Sequence, residues 1–249
     1  MDRRRFLSTG VALALAGCSG DGGTSADGAR SNDDGSSGDG QGASEGTPNG
    51  STSTASDALA THPAAADLAA QPTLGPDPKT ATGVVITFED PSCSICARFE
   101  REVVSELRTE FVERGTVSFV FRGYPVRYPW GEQGTRALEA VEHRDPDSHW
   151  TLAEHYFENQ SRYSGEGPAT VYEKTESFLA SETDLDATST IDAARNGDVD
   201  PSVQADLDAG EAAGAGGITP TLFMFRDGEF RSKSAGYTGL STIKGVLEL

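Results

Sequence analysis

Two cysteines separated by two residues, Cys93 and Cys96, lie where an apolar run gives way to an amphipathic pattern. Residues 84–88, VVITF, are β-branched or aromatic and lack a helical period, which predicts a buried strand. After the turn-forming segment DPS, Phe99 and further apolar residues at every fourth position predict a helix. A Cys-x-x-Cys pair at such a junction is compatible with a redox couple, half of a metal site or two inert buried thiols.

The start of a helix changes the chemistry of a thiol. The unpaired N–H groups of the first turn and the positive end of the helix dipole stabilise a thiolate at Cys93. Cys96 lies one turn further on, close enough to attack a mixed disulfide formed at Cys93. These positions predict a redox-active disulfide Cys93–Cys96, with Cys93 as the catalytic nucleophile and Cys96 as the catalytic resolving thiol. Thiol–disulfide exchange of this kind needs no cofactor.

The metal and inert-thiol interpretations find less support. A structural zinc site needs a second Cys-x-x-Cys or a pair of histidines. None of the four histidines has a paired spacing, and His149 and His155 are expected on the surface of a helix. We therefore predict no metal ligand. We also do not expect residues that open a helix after a Pro-Ser turn to lie deep in the core, so the redox couple is favoured.

A regular order of elements surrounds the cysteine pair. A second apolar run at 116–121 follows the helix, and a strand–helix–strand unit implies a right-handed crossover between parallel strands. The later elements are a mainly helical block at about 131–213, a hairpin of strands 221–225 and 229–234, and a helix at 240–249. The predicted class is α/β, in the order βαβ, helices, ββα.

Three segments of the chain resemble the DsbA-like branch of the thioredoxin superfamily, in particular its single-domain, often membrane-tethered members. They are VVITFEDPSCSICARFEREVVSELRTEFVERGTVSFVFRGYPV, HWTLAEHYFENQ and GGITPTLFMFRDGEF, and the likeness covers about residues 82–249. The resemblance implies a thioredoxin fold with an inserted helical subdomain and the activity of a thiol–disulfide oxidoreductase. It implies the same roles for Cys93 and Cys96 as the helix argument does.

The resemblance also points to a substrate-binding loop. Thr219-Pro220 matches the cis-proline loop that faces the active cysteines in thioredoxin folds. In that geometry Pro220 offers no N–H, and residue 219 presents its backbone to an extended substrate segment, as in strand addition.

Between the two cysteines this chain departs from the family. Ser94 and Ile95 stand where these proteins usually carry proline followed by histidine or tyrosine, and we place them among the substrate-binding residues. Ile95 brings no imidazole, and Glu89 and Asp90 are expected to add negative charge nearby. We therefore predict that the first cysteine is less acidic, and the disulfide less oxidising, than in the strongly oxidising members.

The N-terminal part of the chain differs from the rest. MDRRRFLSTGVALALAGC combines a twin-arginine-like RRRFL with a lipobox-like LAGC, which predicts an export signal at 1–18 and lipidation of Cys18. Residues 19–57 contain no Val, Ile, Leu, Met or aromatic residue, so we expect a disordered acidic Gly/Ser tether over 19–70. The DsbA-like domain is expected over 71–249. Asn49 and Asn159 begin possible glycosylation sequons.

The overall charge excludes one class of partner. A formal net charge of −19 and a pI of about 4.5 argue against nucleic-acid binding, which needs a basic face. Many acidic residues with only four lysines resemble the proteins of salt-accumulating haloarchaea, where a charged acidic surface maintains solubility. The composition therefore favours a halophilic source.

Together these features predict an extracytoplasmic thiol–disulfide oxidoreductase that introduces or exchanges disulfides in exported cysteine-containing proteins. We expect a monomer, lipid-anchored at the extracytoplasmic face of the cell membrane and served by a membrane redox partner. One alternative is a membrane-tethered disulfide reductase. Another is a non-catalytic thioredoxin-fold lipoprotein that binds a partner or delivers a metal. A surface or solute-binding protein would leave the cysteine pair unexplained.

Overall fold

A mixed sheet of five strands lies at the centre of residues 58–249, the part of the chain that the computed structural model describes. The strands are β1 (Thr73–Leu74), β2 (Gly83–Glu89), β3 (Val117–Gly123), β4 (Thr221–Arg226) and β5 (Glu229–Ala235). They follow the order β1-β3-β2-β4-β5, in which only β2 and β3 are parallel. The four predicted strands are present, and β1 is an addition because two residues leave no periodic pattern in the sequence.

β2 is buried along its whole length because it has a strand on each side and packed elements on both faces. Val85 is in register with Phe119 of β3 and with Met224 of β4. Alternate residues point to opposite faces, so Val85 packs in one hydrophobic cluster while Val84 and Ile86 pack in another. The cysteine pair follows this strand and therefore lies at the carboxyl end of the central strand of the sheet.

A long helix follows β2 and contains two wider turns. Helix α2 (Ser94–Phe99) passes through a π-helical turn at Glu100–Val104, helix α3 (Ser105–Leu107) and a second π-helical turn at Arg108–Val112. The predicted apolar spacing of four residues exceeds the 3.6 residues of a regular helical turn. The wider turns accommodate this difference, so that Phe99, Val103 and Leu107 all face the sheet and are buried.

The predicted helical insertion lies between β3 and β4. Its helices are α4 (Pro129–Glu142), α5 (Pro146–Glu158), α6 (Gln160–Tyr163), α7 (Pro168–Glu182), α8 (Ala187–Asn196) and α9 (Asp200–Ala213), and the chain later ends in α10 (Leu240–Leu247). Most of the insertion shares one hydrophobic cluster, whereas α9 packs in the cluster on one face of the sheet. The predicted order of βαβ, helices and ββα is confirmed. Among the described residues, no helix has the length and apolar character needed to cross a bilayer.

The prediction of a tether reaching residue 70 needs correction. Residues 58–70 form a short helix, α1 (Ala58–Thr61), and two 3₁₀ turns at Pro63–Ala65 and Leu68–Ala70. Leu59 and Ala64 are buried in the cluster on one face of the sheet, so this segment belongs to the domain. An Ala-rich stretch with single leucines carries no periodic signal, which is why the sequence did not reveal it. The predicted signal, Cys18, Asn49 and the tether up to residue 57 lie outside the described residues.

A buried arginine on β3 ties this N-terminal segment to the sheet. The Arg122 side chain is fully buried and forms an ion pair with Asp206 of α9, with 2.8 Å between Nη2 and Oδ1. Its Nη1 donates to the carbonyl oxygens of Ala64 at 2.9 Å and Ala66 at 2.7 Å. Asp206 Oδ2 also accepts from the backbone N–H of Gly123 at 2.9 Å. One guanidinium thus connects three parts of the chain that are far apart in sequence.

Replacing Asp206 with alanine should destabilise the domain strongly. The variant leaves the Arg122 charge buried without its counter-ion, and breaking one side of a buried pair costs about 3–5 kcal/mol. The free energy of unfolding, measured by denaturant titration at constant salt, tests this. Glu113→Ala, which breaks the exposed Arg108–Glu113 pair, is the control and should change stability by less than about 1 kcal/mol. Equal effects of the two substitutions would contradict the assigned role of Arg122.

Candidate active site

The turn between β2 and α2 is held by a buried carboxylate. Asp90 Oδ1 accepts from the backbone N–H of Ser92 at 2.7 Å and from its hydroxyl at 2.5 Å. Asp90 Oδ2 accepts from the backbone N–H groups of Val126 and Arg127, both at 2.7 Å. The N-cap of α2 is Cys93, in an extended conformation with φ −81° and ψ 118°. Asp90 therefore fixes both the cysteine-bearing turn and the loop after β3.

Both thiols are buried, which the sequence did not lead us to expect. Cys93 and Cys96 have relative exposures of 2% and 0%, because the loop before β4 and the helical insertion cover the start of α2. Both are free thiols. The Cys93 thiol donates to the carbonyl oxygen of Thr219, with 3.3 Å between sulfur and oxygen. Because the Cys93 sulfur is shielded from solvent, its pKa depends on the groups that contact it.

The two thiols have opposite pKa shifts. A hydrogen bond from Cys96 is the main cause that lowers the pKa of Cys93 to about 5, followed by the Thr219 side chain and the N–H groups of Cys96 and Ile95. Burial raises the pKa of Cys96, and the neighbouring Cys93 and Glu89 raise it further. Cys93 therefore favours the thiolate, whereas Cys96 retains its proton. The assignment of Cys93 as nucleophile and Cys96 as resolving thiol stays a prediction, and the helix N–H groups are a smaller cause of the Cys93 shift than the Cys96 thiol.

The predicted substrate residues lie around the Cys93 sulfur. The Thr219-Pro220 peptide bond is cis, and Thr219 directs its carbonyl oxygen to Cys93. Ser94 and Ile95 are exposed in the first turn of α2. The structure thus brings all four residues together with the cysteine pair. Cys18 lies outside the described residues.

The carboxyl groups of Glu89 and Glu100 form a pair next to the cysteines, and the sequence analysis did not predict it. Glu89 is fully buried and accepts from the Thr87 hydroxyl at 2.9 Å, and its carboxyl group is hydrogen-bonded to that of Glu100. Burial and the nearby Glu100 raise the pKa of Glu89 well above its ordinary value, and burial raises the pKa of Glu100 to about 7. The expected negative charge at Glu89 is therefore suppressed, because its protonated form is favoured.

Gln160, at the start of α6, connects the helical insertion to the cysteine-bearing turn between β2 and α2. Its Nε2 donates to the carbonyl oxygens of Pro91 at 2.8 Å and Cys93 at 2.9 Å. The only signal for Gln160 in the sequence was its place in the segment HWTLAEHYFENQ. The preceding Asn159, which begins one sequon, uses its side-chain amide to donate to the His155 carbonyl oxygen at 3.0 Å.

The expectation that His149 and His155 lie on a helix surface is wrong for His149. His149 is fully buried against Phe121 and Trp150, and burial lowers its pKa to about 4. His155 is half-buried, stacked on Phe178 with ring centroids 3.7 Å apart. Within residues 58–249, no group of three or more His, Cys, Asp or Glu side chains is arranged to hold a metal ion.

The fold and the cysteine turn define a thioredoxin-fold protein with a Cys-x-x-Cys site. A family model described as thioredoxin matches residues 71–243, and the chain belongs to that family. The crystal structure of oxidised BdbD from Bacillus subtilis is similar, with a TM-score of 0.62 and 23% sequence identity, covering 73% of this chain and 92% of that one. Wolbachia pipientis alpha-DsbA1 has a TM-score of 0.59 at 17% identity, over 72% of this chain and 89% of its own. The predicted thioredoxin fold is confirmed.

A curated relative matches over a shorter stretch. Disulfide bond formation protein D of Bacillus subtilis is 30% identical over 112 residues, which are 45% of this chain and 48% of the relative. A probable disulfide bond formation protein D of Bacillus cereus is 29% identical over 92 residues, 37% of this chain and 42% of its own. The chain therefore matches about half the length of these relatives or less.

The thiolate of Cys93 should be populated in mildly acidic solution. Its alkylation rate is expected to reach half its maximum near pH 5, because only the thiolate reacts. Thr219→Val removes the hydroxyl that stabilises the thiolate and should move this midpoint upward. Since the folded pKa is depressed, the reduced protein should also lose stability as the pH falls from the ordinary thiol value through 5. An alkylation midpoint at pH 8 or above in the native chain would contradict the assignment.

Gln160→Met should lower the stability of the domain and change the pKa of Cys93, because it detaches the helical insertion from the cysteine-bearing turn. The variant removes two hydrogen bonds to partly buried carbonyl oxygens, a loss of about 1–3 kcal/mol in stability. It should also raise the pH midpoint of Cys93 alkylation. Without the Gln160 amide, the turn that directs the helix N–H groups to the Cys93 sulfur is less well fixed. Gln204→Met is the matched control, since Gln204 is exposed and bonds only to Asp208 within α9. A stability loss without any change in the midpoint would show that Gln160 is merely structural.

Proposed function

We propose that the chain is a thiol–disulfide oxidoreductase that introduces or exchanges disulfides in exported proteins. The observation that carries this proposal is the opposite tuning of two adjacent thiols next to the cis Thr219-Pro220 loop. A low pKa at Cys93 stabilises the reduced couple, and stabilising the reduced form makes the disulfide a stronger oxidant. The family match and the similarity to disulfide bond formation protein D support the same reaction class.

The reaction begins with the Cys93–Cys96 disulfide. A substrate thiolate attacks Cys93 Sγ, the bond to Cys96 breaks, and its electron pair leaves on the Cys96 sulfur. The raised pKa of Cys96 means that this sulfur then takes up and keeps a proton. The product of the first step is a mixed disulfide between Cys93 and the substrate.

The second step releases the oxidised substrate. Another substrate thiolate attacks the substrate sulfur of the mixed disulfide, and Cys93 leaves as a thiolate. A thiol of low pKa is a good leaving group, so the pKa of about 5 favours release at neutral pH. The substrate loses two electrons to the cysteine couple. Regenerating the disulfide requires an oxidant, and we assign this role to a redox partner in the membrane.

The loop beside Cys93 suits an extended substrate. The Thr219 carbonyl oxygen is 3.3 Å from the sulfur, where it can accept a backbone N–H of a substrate once the thiol hydrogen is gone. Pro220 has no N–H to compete for that substrate. Ser94 and Ile95 are exposed directly after Cys93, in the first turn of α2.

The proposed location follows from the N-terminal sequence. A twin-arginine-like signal and a lipobox at Cys18 favour export and lipid anchoring at the extracytoplasmic face of the membrane. The proposal further takes the domain to act as a monomer. Disulfides persist in such an oxidising compartment. A tether of residues 19–57 would give the domain access to exported polypeptides near the membrane.

Two measurements test the direction of the reaction. The oxidised full-length protein should remove two thiols per molecule from a reduced, unfolded protein, and Cys93→Ser should abolish this. Equilibration with glutathione buffers should give a reduction potential between about −120 and −200 mV, less oxidising than DsbA because the pKa of Cys93 lies above about 3.5. A potential near the −270 mV of thioredoxin, roughly, would refute the oxidase direction.

Trapping separates an exchanger from a binding module. Cys96→Ser should accumulate mixed disulfides through Cys93, because the resolving thiol is missing. The double variant that also carries Cys93→Ser is the control and should accumulate none. A protein that only binds partners would give no mixed disulfide with either variant.

A further inference from the structure

Four segments that surround Cys93 contain no acidic residue. They are 91–98, 124–131, 214–221 and 234–241, each eight residues long, and we call them the acid-free rim. At the average of the chain, 39 Asp and Glu in 249 residues, these four segments together would hold about five carboxylates. A strongly acidic chain thus carries no acid in four segments near the reactive sulfur, and the exposed Glu102 beside them is bonded to Arg98 and to the Tyr237 hydroxyl.

Hydrogen bonds between neighbouring segments place the four segments together. Tyr128 of the second segment donates its N–H to the Ser92 hydroxyl at 3.2 Å, and Thr219 of the third accepts from Cys93. The N–H of Gly236 in the fourth segment donates to the Pro220 carbonyl oxygen at 2.8 Å. The nearby carboxylates of Glu89 and Asp90 are fully buried and add no acid to this surface.

The acid-free rim is also the main exposed apolar surface. Six large apolar side chains are exposed within residues 58–249, and five of them lie on the rim: Ile95, Val126, Tyr128, Ile218 and Tyr237. Exposed apolar side chains that cluster around a reactive atom indicate a surface that is covered by a binding partner. Their grouping around Cys93 therefore describes where a substrate segment lies.

The charge on the acid-free rim is basic. Arg98 and Arg127 are its only charged residues, and Arg98 is balanced by Glu102 at 2.9 Å and stacks on Tyr237. Arg127 is exposed and forms no ion pair with any residue of the described part of the chain. Glu132, just beyond the rim, is paired with Arg136 at 3.1 Å. Arg127 is therefore the uncompensated charge of the acid-free rim.

We propose that the acid-free rim selects an extended, cysteine-bearing polypeptide segment with apolar and acidic residues beside the cysteine, and that Arg127 is the residue that recognises the acid. The inference rests on the proposed function, whose substrate class it names. An acidic substrate would be repelled by an ordinary stretch of this protein's surface, since like charges in contact are unfavourable. Because the rim carries no acidic residue, this repulsion is absent there, and the positive charge of Arg127 attracts an acidic side chain of the substrate.

The net charge of the protein and the charge of the acid-free rim favour peptides of opposite charge. A charge of −19 attracts basic peptides at long range, whereas Arg127 favours acidic ones in contact. At an ionic strength of 0.1 M, charges more than about 10 Å away are largely screened, so the local surface should dominate. At 1 M the screening length falls to about 3 Å and the preference should shrink.

The test compares two dithiol peptides that differ only in glutamate or lysine residues beside the cysteines. Oxidation rate constants with the full-length oxidised protein are measured at 0.1 M and 1 M sodium chloride, with sucrose present at the lower salt to support the fold. Each rate is divided by that peptide's rate with the uncharged bis(2-hydroxyethyl) disulfide, which removes differences in thiol reactivity without favouring either charge. The variants are Arg127→Glu and Arg114→Glu, which change the charge equally. Arg114 is also exposed, at the far end of the helix that begins at Ser94.

The native protein should prefer the acidic peptide at 0.1 M. Arg127→Glu should lower the ratio of acidic to basic rates by about twofold to fivefold for one surface ion pair, with a further loss from the new repulsion. Arg114→Glu should leave the ratio unchanged. A native preference for the basic peptide, or equal shifts in the two variants, would overturn the inference. If neither peptide is oxidised, the proposed function itself fails.

Discussion

The hydrogen bonds of one buried carboxylate determine the geometry on which the site depends. Asp90 follows the central strand β2 and accepts two bonds from Ser92 and one each from Val126 and Arg127. A carboxylate without charge partners is stable in the interior only when its oxygens are saturated with donors, as they are here. The same bonds place Cys93 at the start of α2 and bring the loop after β3 to the edge of the acid-free rim.

The chemistry of the cysteine pair comes from several separate parts of the chain. The helix supplies N–H groups, the loop before β4 supplies Thr219, and the helical insertion supplies Gln160. Glu89 and Glu100 form a protonatable pair under the thiols. Because burial disfavours a second charge close to the Cys93 thiolate, Cys96 stays protonated while Cys93 favours the thiolate.

Local patterns and long-range contacts were not equally predictable. The strands around the cysteines and the helix after them follow from β-branched runs and four-residue apolar spacing, and they are present. The segment at 58–70 and the burial of His149 were misjudged, since both depend on what packs against them. Arg122 looked like an ordinary strand residue, but its guanidinium binds Asp206 and two carbonyl oxygens that are distant in sequence.

By itself, the sequence determined the order of the elements, the cysteine couple at a helix start and the likeness of the Thr219-Pro220 segment to a cis-proline loop. These are properties of residue type and near-neighbour spacing. Only the tertiary structure decided that Thr219, Gln160 and Glu89 meet at the same pair of thiols, that both thiols are buried, and that acid-free segments form one surface. The physical reason is that pKa values and surface charge depend on distances through space, which the order of residues does not specify.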